Sequence, residues 1–241
     1  MRGTVTLAIV VALAASGPKA AQEWTDFVSR EDGFRVNFPG TPTVTETTYK
    51  SEYGADLPAR LYTVERGRER YSMTVVDYTQ VERILTERAK SCPAYADERC
   101  TGYAGRPIVG AGYWMTDIRG ALVWASWQFL KRDAKVTDYM WNFIDLVEGH
   151  QLQLTNPDRS RTFVSIYMHV NRLYILEGTV PDGAPEPGLF QQSLGFVDKD
   201  GNGVRYQGYY DNDYPPPPRV GGTGAVTTGG GPDPNVAPRG R

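Results

Sequence analysis

The sequence predicts an α+β fold, a central antiparallel sheet flanked by amphipathic helices. Three observations carry that reading. The stretch Arg161–Pro181 is rich in β-branched and aromatic residues and folds back on itself at Val170-Asn171. With those two residues as the turn, Met168 faces Leu173, Tyr167 faces Tyr174, Ile166 faces Ile175 and Ser165 faces Leu176. One face then carries Val164, Ile166, Met168, Leu173 and Ile175, and the other Phe163, Tyr167, Tyr174 and Leu176. A hairpin apolar on both faces needs a covering layer on each, which places it at the centre of the sheet. The second observation is the alternation of the first half of the chain, which reads as an antiparallel meander. The third is a pair of stretches with helical apolar spacing between the meander and the hairpin.

The elements follow in order. Trp24–Phe27 opens the domain, and Ser29–Gly33 is a turn. Phe34–Phe38 alternates with three apolar residues on one face and ends at the Pro39–Pro42 corner. Thr43–Tyr49 is extended, and Pro58–Glu65 pairs with Tyr71–Asp77 across the charged turn Arg66–Arg70. In Thr79–Lys90, Val81, Ile84, Leu85 and Ala89 mark an amphipathic helix. Asp117 is placed to cap a second helix whose stripe is Ile118, Ala121, Leu122, Ala125 and Phe129, with Trp124 and Trp127 flanking it. Val136–Ile144 and His150–Leu154 are strands, Asn156–Ser160 is a turn into the hairpin, and a short third helix is expected over Glu186–Leu194.

The ends set the domain limits. Met1-Arg2 followed by the apolar run Val5–Ala15 and small residues up to Ala21 has the form of a signal peptide over residues 1–21. That run is too short to span a membrane, and no later segment is longer. Residues 22–210 form a single domain of about 190 residues, enough to bury roughly 70% of its unfolded surface. From Asp211 the chain turns to proline and glycine, with Pro215–Pro218 at its start, and 211–241 reads as a disordered tail. The formal net charge of −2, with both signs mixed along the chain, argues against a nucleic-acid surface. Cys92 and Cys100 are the only cysteines. In an exported protein such a close pair is most simply a disulfide, with free thiols as the alternative. The expected location is the periplasm or the medium.

Two end segments carry a resemblance. Trp24–Pro39 has the pattern Trp-x-x-Phe-x-Ser-(x)3-Gly-Phe-x-Val-x-Phe-Pro, and Leu173–Leu176 is followed by Phe190-Gln191-Gln192-Ser193-Leu194-Gly195-Phe196. This opening and closing are similar to exported bacterial proteins related to the PsbP-like α/β/α sandwiches. The resemblance implies a central antiparallel sheet between helical layers. The Cys loop and the proline tail depart from the family pattern, and family members are mostly non-enzymatic accessory proteins or uncharacterised.

Candidate chemistry is sparse. Asp198-Lys199-Asp200-Gly201-Asn202-Gly203 matches the start of a calcium loop, but Arg205 and Tyr209 stand where its apolar and bidentate residues belong, so a turn is expected. Ser193 has no nucleophile motif around it. His150 and His169 are the only histidines. On a strand Glu148 and His150 share a face, which makes them, with Trp124 and Trp127, the candidate ligand-binding residues. Glu177 falls on the apolar Val164 face, and it is expected to reach solvent or pair with Arg161 or Arg172. The Tyr206–Tyr214 region suits a contact surface. No metal site, cofactor or catalytic set is expected. The leading expectation is an exported, non-enzymatic binding or accessory protein with an envelope protein or glycan partner; the alternative is a periplasmic hydrolase or small-ligand-binding enzyme.

Overall fold

The computed structural model describes residues 24–93, 113–212 and 219–220. The signal-peptide reading and Cys100 lie outside the described residues. Among the described residues twelve strands form two antiparallel sheets with few helices. The larger sheet has the order β3-β4-β5-β9-β8-β7-β6, built from β3 (Thr43–Lys50), β4 (Asp56–Arg66), β5 (Glu69–Asp77), β6 (Lys135–Ile144), β7 (Val147–Thr155), β8 (Arg161–His169) and β9 (Arg172–Val180). The smaller joins β1 (Thr25–Ser29), β2 (Phe34–Phe38), β10 (Gly195–Val197), β11 (Gly203–Arg205) and β12 (Arg219–Val220) in the order β1-β2-β10-β11-β12.

The β8–β9 hairpin has the register that its two-residue turn dictates, with Met168 opposite Leu173, Ile166 opposite Ile175, Tyr167 opposite Tyr174 and Ser165 opposite Leu176. Val170 and Asn171 both have positive φ, 48° and 54°, as a type I′ turn requires. β9 sits at the middle of the large sheet, between β5 and β8. The meander β3-β4-β5 reaches it from one edge. The chain then crosses one face in α1 (Val81–Lys90) and α2 (Tyr113–Leu130), drops to the far edge as β6, and walks back through β7 and β8.

Each face of the hairpin is covered by a different layer. On one side Val164, Ile166, Met168, Leu173 and Ile175 pack with Val81 and Leu85 of α1 and Ile118, Ala121, Ala125 and Phe129 of α2. On the other side, Tyr167, Tyr174 and Leu176 meet Phe34, Val36 and Phe38 of β2, Phe196 of β10 and Val204 of β11, with Phe190 from the one-turn helix α3 (Gly188–Gln191). The expected second helical layer is therefore mostly a small sheet: only four residues of the predicted Glu186–Leu194 helix are helical, and β1, β2, β10 and β11 supply the rest. Tyr174 ties the layers together by donating to the Asp32 carbonyl (2.8 Å).

Three further differences have local causes. α2 starts at Tyr113, so Asp117 lies inside it; the side chain is fully buried and accepts a hydrogen bond from Ser51 Oγ (2.5 Å). Glu177 pairs with neither Arg161 nor Arg172. Arg132, just beyond α2, reaches it with both guanidinium nitrogens, at 2.6 and 3.1 Å. Asn212, expected in the tail, instead buttresses the hairpin turn: its Oδ1 accepts from Asn171 N (3.0 Å) and its Nδ2 donates to Asn171 Oδ1 (2.8 Å).

Candidate binding surface

The two edges of the large sheet differ in chemistry. β3 is a Thr/Glu/Lys strand, and Val44 is its one exposed large apolar side chain. Polar and charged residues of this kind are what keep an unpaired edge from recruiting other strands. β6 carries charged residues only at its start, Lys135 and Asp138, with Thr137 between them; Val136, Tyr139, Met140, Trp141 and Phe143 are all exposed, Trp141 by 66%. Its one irregularity is a bulge between Val136 and Asp138, near the strand start. From there to Ile144 the pairing with β7 is regular, which leaves the outer backbone of β6 extended and unpaired among the described strands.

Alternation sorts the β6 side chains. Tyr139, Trp141 and Phe143 stand opposite Leu152, His150 and Glu148 of β7. Leu152 belongs to the helix-side core, so these three aromatic rings lie on the α2 side. Asn142 points the other way and donates to Tyr167 Oη (2.7 Å). Phe143 is extended outward by Tyr209, whose ring lies 5.3 Å away and is 74% exposed.

Glu148 and His150 share the α2-side face of β7, as the period of two requires. His150 is buried, with Tyr139 and Trp141 packed edge-on against it at 5.4 and 5.2 Å. Its Nδ1 lies 2.8 Å from Ser126 Oγ of α2 and 3.1 Å from Tyr139 Oη. Burial lowers its pKa, so the ring is neutral at neutral pH. A Ser–His contact invites a nucleophile reading, but Ser126 is buried and its Oγ also lies 2.9 Å from the Leu122 carbonyl. Ser126 has one proton, and the Leu122 carbonyl competes with His150 for it, at a hydroxyl closed to substrate. The pair fastens β7 to α2 and sets the floor beneath Tyr139 and Trp141.

The other predicted residues separate. Trp124 turns toward the β3–β4 loop, where its indole N–H donates to the Lys50 carbonyl (3.1 Å). Trp127 is half exposed on the outer side of α2. Glu148 instead lines a cleft of about 390 Å³ with Ile118, Arg119, Leu122, Met168, Tyr209, Tyr210, Asp211 and Asn212. Burial raises the Glu148 pKa, and the nearby Asp211 carboxylate raises it further. His169 lies on the opposite face, stacked on Phe196 at 4.0 Å and bonded through Nε2 to Tyr206 Oη (2.7 Å). Its burial, with the Arg172 charge, pushes its pKa down to about 3. Asp198 closes a turn between β10 and β11, accepting the Asp200 and Asn202 amides at 2.9 Å each. Among the described residues no group of three or more His, Cys, Asp or Glu side chains is placed to hold a metal ion, and no helix is long and apolar enough to cross a membrane.

The aromatic edge was missed in the sequence because Val136–Ile144 has the composition of a buried strand. Its position, not its composition, exposes it.

No family model matches the chain, and no curated protein matches it. Among solved structures it is similar to the solution structure of cyanobacterial PsbP (CyanoP) from Synechocystis sp. PCC 6803. Identity is 10%, with 77% of this chain and 99% of that chain covered and a TM-score of 0.41.

Proposed function

We propose that the chain is an exported, non-enzymatic binding or accessory protein that takes an extended segment of a protein partner along the free edge of β6. The observation that carries this reading is the exposure of five large apolar side chains on one edge strand that is unpaired among the described residues. Strand addition uses both features: backbone N–H and C=O groups supply affinity, and alternate side-chain contacts supply register. Tyr139, Trp141 and Phe143 would receive one face of the added segment and Met140 the other. Aromatic rings also suit sugar faces, but a glycan has no use for a row of unpaired amides, which favours a protein partner over a glycan.

The enzymatic alternative through Glu148 and His150 has less behind it. His150 is buried and bonded to Ser126, and the two tryptophans assigned to the same pocket face elsewhere or outward.

Export rests on residues 1–21, and the periplasmic setting on the same residues together with the Cys92–Cys100 pair. Amino-terminal sequencing of the protein from the periplasmic fraction should begin near residue 22, and thiol labelling without reductant should find no free cysteine. For the binding reading, affinity capture from envelope extract should recover the same specific protein with the wild type and with Val44→Lys, and lose it with Trp141→Lys. Recovery of nothing above control by the wild type, or equal recovery by Trp141→Lys, would count against it.

A further inference from the structure

The cleft at Glu148 lies beside the β6 surface but has a different character. Ile118 and Leu122 of α2 and Met168 at the end of β8 give it an apolar floor. Its size, about 390 Å³, falls within the range of small-molecule sites. The outer wall is held in place. Tyr210 N donates to the Leu146 carbonyl (3.0 Å), and Tyr210 Oη accepts from Val170 N (2.7 Å) while donating to Asn212 Oδ1 (3.0 Å). Asn212 in turn grips Asn171. A wall fixed at both ends loses little freedom when a ligand enters, which favours binding.

The charges of the lining are Glu148, Asp211 and Arg119, which together leave one net negative charge. Arg119 and Asp211 each have contacts of their own. Asp211, another carboxylate, bears on Glu148, so the site holds a partly desolvated anion next to a like charge. One tyrosine ring, Tyr209, stands beside it, while the Tyr210 ring packs on His169 and Tyr206 on the opposite face. A carboxylate over an apolar floor with an aromatic ring at its rim is the chemistry that recognises an ammonium group on a hydrocarbon body.

From this arrangement we infer that the Glu148 cleft is a binding site for small organic amines, with the ammonium group at Glu148 and the hydrocarbon body on Ile118, Leu122 and Met168. The site does not depend on the β6 reading, and occupation of one does not require the other.

The test uses the full mature chain and three probes with the same benzene body: phenethylamine, 2-phenylethanol and 3-phenylpropanoate. Titrations are followed by methyl NMR of Ile118, Leu122 and Met168 and by calorimetry. The amine should shift these methyl signals saturably, bind at least about tenfold more tightly than the alcohol, and leave the propanoate without measurable binding. Glu148→Gln should weaken the amine by about tenfold or more with no loss of thermal stability. Tyr209→Ala, at an exposed ring, should weaken it too. The inference is overturned if the alcohol or the propanoate binds as well as the amine, if Glu148→Gln binds the amine like the wild type, or if the amine moves none of the three methyl signals at saturating millimolar concentration.

Discussion

The turn of the central hairpin carries a correctable conflict between side chain and backbone. Val170 is β-branched and sits at φ 48°, a region where an L-residue with a branched Cβ is at its least comfortable. The left-handed conformation costs roughly 1–2 kcal/mol per ordinary residue, and Asn tolerates it far better. The Val170 side chain is 48% exposed, so replacing it gives up little packing. Taking half of the roughly 1.5 kcal/mol that a fully buried valine contributes as an upper bound, the loss is at most about 0.7 kcal/mol. Val170→Asn should therefore stabilise the protein by about 0.5–1 kcal/mol net. The Val170 N–H bond to Tyr210 is a backbone contact and survives the change. For a domain of this size the melting temperature should rise by about 1–4 °C. Urea unfolding followed by tryptophan fluorescence measures it best, because an unchanged slope with a higher midpoint assigns the effect to stability alone. A variant equal to or less stable than the wild type would refute the reasoning and place the turn in another conformation.

Other perturbations test other parts of the fold. Burial holds the Asp117 pKa at about 6, against an ordinary value of 3.8. A raised carboxylate contributes stability that is full below about 3.8 and lost as pH rises through about 6, so at pH 8 the ionised form is a cost of roughly 3 kcal/mol. Asp117→Asn keeps an acceptor for Ser51 and should be more stable than the wild type in urea at pH 8, with the advantage shrinking toward pH 4; an advantage of the same size at both pH values would sink the argument. Gly149 on β7 has room for no side chain, since a Cβ there would lie 2.3 Å from the Ile166 carbonyl oxygen and 2.3 Å from the Tyr167 ring. Gly149→Ala should cost more than about 2 kcal/mol in the same assay, and a variant with wild-type stability would show that β7 and β8 are not packed this way.

How much of this was legible in the sequence depends on how local the governing interaction is. The β8–β9 hairpin was readable because a two-residue turn fixes every cross-strand partner at once, and because apolar residues on both faces demand two covering layers. What covers the second face was not readable. Its strands lie at opposite ends of the chain, and β10 and β11 are three residues each, too short to show a period. Asp117 looked like a cap because a carboxylate before an apolar periodic run is a cap signal, yet the helix begins four residues earlier and turns Asp117 inward. The partner of Glu177, Arg132, is 45 residues away in sequence, and no local rule selects it over the nearer Arg161 or Arg172.

The candidate residues divided along the same line. That Glu148 and His150 share a face follows from the strand period alone, and both indeed face α2. Their grouping with Trp124 and Trp127 required knowing how α2 rotates over the sheet, which depends on packing. The exposure of β6 depends on sheet order: a strand such as Tyr139-Met140-Trp141-Asn142-Phe143 would be core at the centre of the sheet. It is surface because the chain crosses over in α2 before laying it down at the edge.

The central claim is that the β6 edge, and not the β3 edge, receives a partner. Its most direct test is a photo-crosslinking amino acid placed at Trp141 or at Val44 in cells that express the full chain. Irradiation should give one discrete protein adduct from position 141 and none from position 44. No adduct at 141, or adducts of equal yield from both edges, would contradict the account.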